Sequence, residues 1–179
     1  MAIDDAPGAV PTATVAGGRA HWLVFLGLAL VVLILDQLAK AWLVANVTPG
    51  QVVDVVGDLM RLIYSQNSGA LFGLFRDNAV MFGIASLIVV GLIVGYHGRS
   101  GRSLYLSIAL GLLLGGALGN LVARLRLGFV VDFVDLGIGG LRFYTFNVAD
   151  MAVTGAILML IGVALFPALL GWRERRSGG

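Results

Sequence analysis

The chain has 179 residues, 59% of them hydrophobic and only 12% charged, with a mean hydropathy of +0.96. Soluble domains carry about 25% charged residues, so this composition excludes an ordinary soluble globule and indicates an integral membrane protein. The net charge is only +2, with basic residues scattered between apolar runs, which argues against a nucleic-acid-binding protein; the absence of cysteine excludes a disulfide framework, a thiol nucleophile and a Cys-ligated metal.

Residues 1–20 are rich in Ala, Gly, Thr and Pro and cannot build a core, so a flexible N-terminal tail is expected. An apolar run follows over about 21–45, interrupted by Asp36 and Lys40. It is too long for the apolar region of a cleaved secretory signal and reads as a retained anchor. Further apolar runs cover about 80–96, 104–122 and 148–172. Crossing the hydrocarbon core takes roughly 20 residues, so the expected fold is mainly α: four transmembrane helices in one membrane domain, residues 21–172.

The link at 97–103 carries Arg99 and Arg102 and no acid, and the tail at 173–179 carries Arg173, Arg175 and Arg176. Short basic segments stay in the cytoplasm. This places both tails in the cytoplasm and the other two links outside. His21 and His97 flank apolar runs without a second ligand at metal spacing, so they are read as interfacial residues and no metal site is expected.

The outward links carry pattern. Residues 51–66 are rich in Val and Ile, partly alternating, with turn signals at Thr48-Pro49-Gly50 and Gly57-Asp58; a small extracytoplasmic β-sheet is expected. Residues 124–136 mix Arg and Asp with Leu, Val and Phe, which predicts an interfacial helix. Gly111, Gly115 and Gly119 follow the small-xxx-small spacing of packed membrane helices.

Asp132 and Asp150 sit where apolar runs give way to polar links. Carboxylates at a bilayer are costly and mark function by default. Two of them in a dry site share a proton, one serving as base and the other as acid. The competing interpretation is that both cap helices or pair with arginines; Asp150 lies near a helix N-terminus, where it would offset the dipole in any case. Asp36 and Lys40, four apart, share a helix face and read first as an ion pair locking the first span. The block Asn67-Ser-Gly-Ala-Leu-Phe-Gly73 suits a tight backbone turn close to a ligand, or an ordinary loop. Asn120 and Arg124 carry the glycine-rich helix to the outer surface, where they offer donors to a peptide backbone or lipid headgroup.

Five blocks, Asp36-Gln-Leu-Ala-Lys40, Asn67-Ser-Gly-Ala-Leu-Phe-Gly73, Gly115-Gly-Ala-Leu-Gly-Asn120, Val130-Val-Asp-Phe133 and Phe146-Asn-Val-Ala-Asp150, together resemble the bacterial lipoprotein signal peptidases, the type II signal peptidases. The resemblance implies an aspartic endopeptidase of the inner membrane that cuts a prolipoprotein before its diacylglyceryl-modified cysteine. It implies Asp132 and Asp150 as the catalytic pair. Asn67, Gly69, Asn120, Arg124 and Asn147 would line the substrate site, supported by Asp36 and Lys40. It further implies membrane lipids as surroundings, the cyclic peptide globomycin as an inhibitor, and no metal or organic cofactor.

One position departs from the family pattern, which places Asp before Arg124 where this chain has Ala123. Two other functions fit parts of the sequence: a small four-span transporter using Asp36, and a non-catalytic membrane scaffold.

Overall fold

A computed structural model describes residues 13–68, 79–100 and 103–166. The order of elements is α1 (Ala13–Asn46), β1 (Val52–Val56), β2 (Met60–Asn67), α2 (Ala79–Ser100), α3 (Leu104–Leu127), β3 (Val130–Ile138), β4 (Leu141–Arg142) and α4 (Val148–Leu165). Helix α1 begins inside the segment expected as a tail. Gly69, the basic residues after 172 and the end of the fourth apolar run lie outside the described residues.

Three described stretches, Gly18–Asn46, Leu104–Leu127 and Val148–Leu165, are long and apolar enough to cross a membrane, and Gly83–Arg99 adds a shorter apolar run. Their outer faces carry exposed Leu23, Leu30, Leu38, Leu92, Leu158 and Ile161. An apolar belt of that extent is compatible with lipid and not with water.

Helix α3 is the central post, and its glycines set how closely its neighbours approach. A Cβ at Gly111 would stand 2.8 Å from the Phe25 carbonyl oxygen, and one at Gly115 would stand 2.8 Å from that of Ala29. Both contacts are with α1, as the small-residue spacing predicts. On the α4 side, a Cβ at Gly116 would stand 2.5 Å from the Ala149 carbonyl oxygen. Lipid gives apolar helices little reason to associate, so close backbone approach supplies the packing. At the opposite end of the bundle from the sheet, His97 is buried, stacked on Phe25 with ring centroids 4.0 Å apart, and 3.0 Å from Ser107 Oγ. It is thus packed inside the bundle and not a side chain exposed at its end.

The sheet is antiparallel in the order β1-β2-β3-β4. The 51–66 segment supplies β1 and β2 as expected. The interfacial helix expected over 124–136 does not form, because those residues are the last turn of α3 followed by most of β3. Gly128 stops the helix: its φ of +78 is left-handed, and its N–H donates to the Arg124 carbonyl at 3.0 Å. The β-branched and aromatic residues that follow then pair with β2, placing Ser65 opposite Asp132 and Asn67 opposite Val130.

Strand β3 is buried along most of its length, with Val131, Phe133 and Val134 packed around Leu43 and Val47 from the end of α1. Phe146 bridges back to Val134, its N–H donating to the Val134 carbonyl at 3.1 Å. That bridge sets the start of α4 beside Asp132. Farther out, Arg142 pairs with Asp135 at 2.6 Å and holds β4 to β3.

Candidate active site

The ends of α1, β2 and α3 and the starts of β3 and α4 meet at the junction of bundle and sheet, and each brings a polar side chain. Asn147 is fully buried and caps α4. Its Oδ1 accepts from the Asp150 main-chain N–H at 3.0 Å, while Asp150 Oδ2 accepts from the Asn147 main-chain N–H at 3.2 Å, closing a capping box. The helix-cap interpretation of Asp150 is therefore correct, but incomplete. Its other oxygen, Oδ1, accepts from Asn120 Nδ2 at 2.8 Å.

Asp132 is 2% exposed on β3. Asn67 Nδ2 donates to its Oδ2 at 2.9 Å, and Asn147 Nδ2 donates to its Oδ1 at 2.6 Å. Burial pushes its carboxyl up from 3.8 to about 6. The Asn67 amide pulls the other way, the Asp150 charge adds to the rise, and the Asn147 amide and Lys40 charge partly offset it. Arg124, one turn beyond Asn120 on α3, lies within electrostatic reach of both aspartates.

Behind the pair, Lys40 Nζ donates to Asp36 Oδ2 at 2.8 Å and to Asn120 Oδ1 at 2.9 Å. Asp36 is fully buried, and its Oδ1 accepts from the Ala149 main-chain N–H at 3.0 Å. The expected Asp36–Lys40 ion pair is present, and it ties α1 to both α3 and α4. A carboxylate so enclosed is a structural brace, which disfavours proton-coupled transport through Asp36.

Asp132, Asp150, Asn67, Asn120, Asn147, Lys40 and Asp36 thus form one hydrogen-bonded network, with Arg124 at its edge. The sequence reading had missed Gln37, whose Nε2 donates to Asp36 Oδ2 at 3.0 Å and to the Gly119 carbonyl at 3.1 Å. Its only signal was its place between Asp36 and Lys40. Among the described residues no group of three or more His, Cys, Asp or Glu is arranged to hold a metal ion.

Apolar helices crowned by a sheet, with carboxylates gathered under amide donors at the junction, define a membrane-bound enzyme of the acid–base hydrolase class. The family model for signal peptidase (SPase) II matches residues 28–166. The chain is 42% identical over 154 residues to the lipoprotein signal peptidase of Syntrophomonas wolfei, covering 86% of this chain and 98% of that one. It is 41% identical over 145 residues to the lipoprotein signal peptidase of Moorella thermoacetica, covering 80% and 94%. Two solved bacterial membrane enzyme structures superpose with TM-scores of 0.74 and 0.72, at 28% and 30% identity, covering 90% and 83% of this chain and 93% of each of theirs. The chain belongs to the signal peptidase II family, aspartic peptidases that remove signal peptides from prolipoproteins.

Proposed function

We propose that Asp132 and Asp150 are the acid–base pair of this peptidase, and that the single observation carrying the assignment is Asn147. This one buried residue touches both carboxylates, through its side-chain amide at 2.6 Å and its main-chain N–H at 3.2 Å. Asp150 serves as base and takes a proton from a water molecule. The resulting hydroxide attacks the carbonyl carbon of the scissile peptide. Asp132, whose burial favours holding a proton, passes it to the departing amide nitrogen as the C–N bond breaks. Arg124 and Asn67 hold the substrate backbone at the mouth of the site, with Asn120 and Asn147 behind them; Gly69, outside the described residues, is assigned to the same role by the resemblance alone. Positioned donors of this kind stabilise the developing oxyanion.

The chain crosses the bacterial inner membrane four times, α2 supplying the remaining span, with both termini in the cytoplasm and the site facing outward. The basic 97–103 link and the acid-balanced outer links support this orientation. The substrate is a prolipoprotein whose cysteine carries a diacylglyceryl group. Its acyl chains stay among the surrounding lipids, its signal helix enters between the spans, and the cut falls before the modified cysteine. The helix unwinds locally to present its peptide bond. A globomycin-type cyclic peptide competes for the same groove. Neither metal nor organic cofactor takes part.

The test is cleavage by the purified chain in lipid of a prolipoprotein peptide with and without the diacylglyceryl group. Cutting of the modified peptide alone is expected; equal cutting of both would refute the lipid requirement.

A further inference from the structure

Two asparagines hold the acidic pair, and each has two faces, a carbonyl that accepts and an amino group that donates. The face that meets a carboxylate biases its protonation state: an amino group favours the ionised form and a carbonyl the protonated one. At Asp132 burial outweighs the two amides that face it.

Asn147 has its direction fixed by the chain itself. Its Oδ1 accepts from the Asp150 main-chain N–H, which can only donate, so its amino group is left for Asp132. Among the described residues no main-chain N–H meets the Asn120 Oδ1; there it meets Lys40 Nζ at 2.9 Å and, more distantly, Asn147 Nδ2 at 3.3 Å. An ammonium has three donors and no acceptor. With Lys40 in place, the Asn120 carbonyl faces α1 and its amino group faces Asp150 at 2.8 Å.

The geometry points to Lys40 as a positioning residue for the reaction: its ammonium orients the Asn120 amide so that Asp150 receives a donor and works as the base. This deepens the assignment of Asp132 and Asp150 as the reacting pair and rests on it. Lys40 is 4% exposed and its charge is matched by Asp36 at 2.8 Å, so the pair as a whole is close to neutral. Its influence on Asp150 therefore runs through the direction of the Asn120 dipole more than through bare charge. Other groups facing Asp150 are Arg124 from α3, Asp132 from β3 and the helix N-terminus of α4 itself. Asn147 Nδ2, 3.3 Å from the same Asn120 Oδ1, favours the same direction, and Lys40 Nζ at 2.9 Å is the nearer donor and carries a full charge.

The test compares Lys40→Met, Asn120→Leu and the double variant, measuring kcat and KM for a diacylglyceryl-modified peptide in lipid. A misdirected catalytic group costs roughly a hundredfold, so Lys40→Met is expected to lower kcat by about that factor with KM little changed. Adding Lys40→Met to Asn120→Leu costs little more, because both act through one amide, and Lys40→Arg, which keeps a donor, recovers part of the rate. Multiplicative losses in the double variant, or a Lys40→Arg enzyme no faster than Lys40→Met, would overturn the inference and leave a purely structural ion pair. Asp36→Asn is measured alongside for thermal stability, to separate loss of fold from loss of orientation. Asp150→Asn decides the underlying assignment separately: if it keeps full activity, the reacting pair is wrong, whatever Lys40 does.

Discussion

Asn147 Nδ2 lies 2.6 Å from Asp132 Oδ1, and the two residues come from different elements, the start of α4 and the start of β3. They meet because Phe146, one residue earlier, pairs with Val134, two residues beyond Asp132. The acidic site is therefore built by strand pairing in the sheet as much as by helix packing in the bundle.

The buried carboxyl of Asp132 gives the protein a pH-dependent stability. Its folded value of about 6 lies above its ordinary 3.8, so the folded chain binds that proton more tightly than the unfolded one. The stabilisation is full below the unfolded value and is lost as pH rises through the folded one. At about 1.4 kcal/mol per unit, the loss totals about 3 kcal/mol. Thermal midpoints of the detergent-solubilised protein should fall across that window, and Asp132→Asn should flatten the fall. An equal slope in the variant would show that other groups carry it.

The same proton limits the reaction from the basic side. With Asp132 as acid, kcat/KM of the free enzyme falls as pH rises past about 6. A rate profile that keeps climbing to alkaline pH would assign the acid elsewhere.

Gly119 marks the closest approach behind the site. A Cβ there would stand 2.6 Å from Asp36 Oδ2 and 3.2 Å from Ala149 Cβ. Gly119→Ala should cost about 1–3 kcal/mol by overpacking and should lower activity by displacing Asp36 and the start of α4. Gly91→Ala, where nothing lies within 4 Å, serves as control and should leave the thermal midpoint unchanged. Equal behaviour of the two variants would contradict this packing.

Ala123 is 2% exposed, one turn beyond Asn120 on α3 and next to Arg124. The side chain at 123 takes no part in the contacts that join Asp132, Asn147 and Asp150. Ala123→Asp should change the cleavage rate by less than about tenfold, small against the 10²–10⁴ of general acid–base catalysis. An inert parent chain switched on by this substitution would move the chemistry to position 123.

Much of this was legible in the sequence because lipid enforces simple rules. Apolar length located the long helices, and glycine spacing identified the face of α3 that meets α1. Asp36 and Lys40 announced their pairing by lying four apart on a helix. The hairpin of β1 and β2 was legible from its Val and Ile alternation. What the pattern concealed was the partner of that hairpin. Strand β3 is buried at every position from Val130 to Asp135, and a strand buried on both sides shows no alternation to distinguish it from a helix. The role of Asn147 was only partly legible. Its place before an apolar run marks a helix cap, but the long-range contact to Asp132 depends on the Val134–Phe146 bridge, which no local pattern encodes.

Cleavage of a diacylglyceryl-modified prolipoprotein peptide by Asp132→Asn and Asp150→Asn, each folded to the thermal midpoint of its parent in lipid, bears most directly on the acidic pair. The expected result is a loss of at least about a hundredfold in kcat for each, with peptide binding retained. Parental cleavage rates in either variant would contradict the assignment.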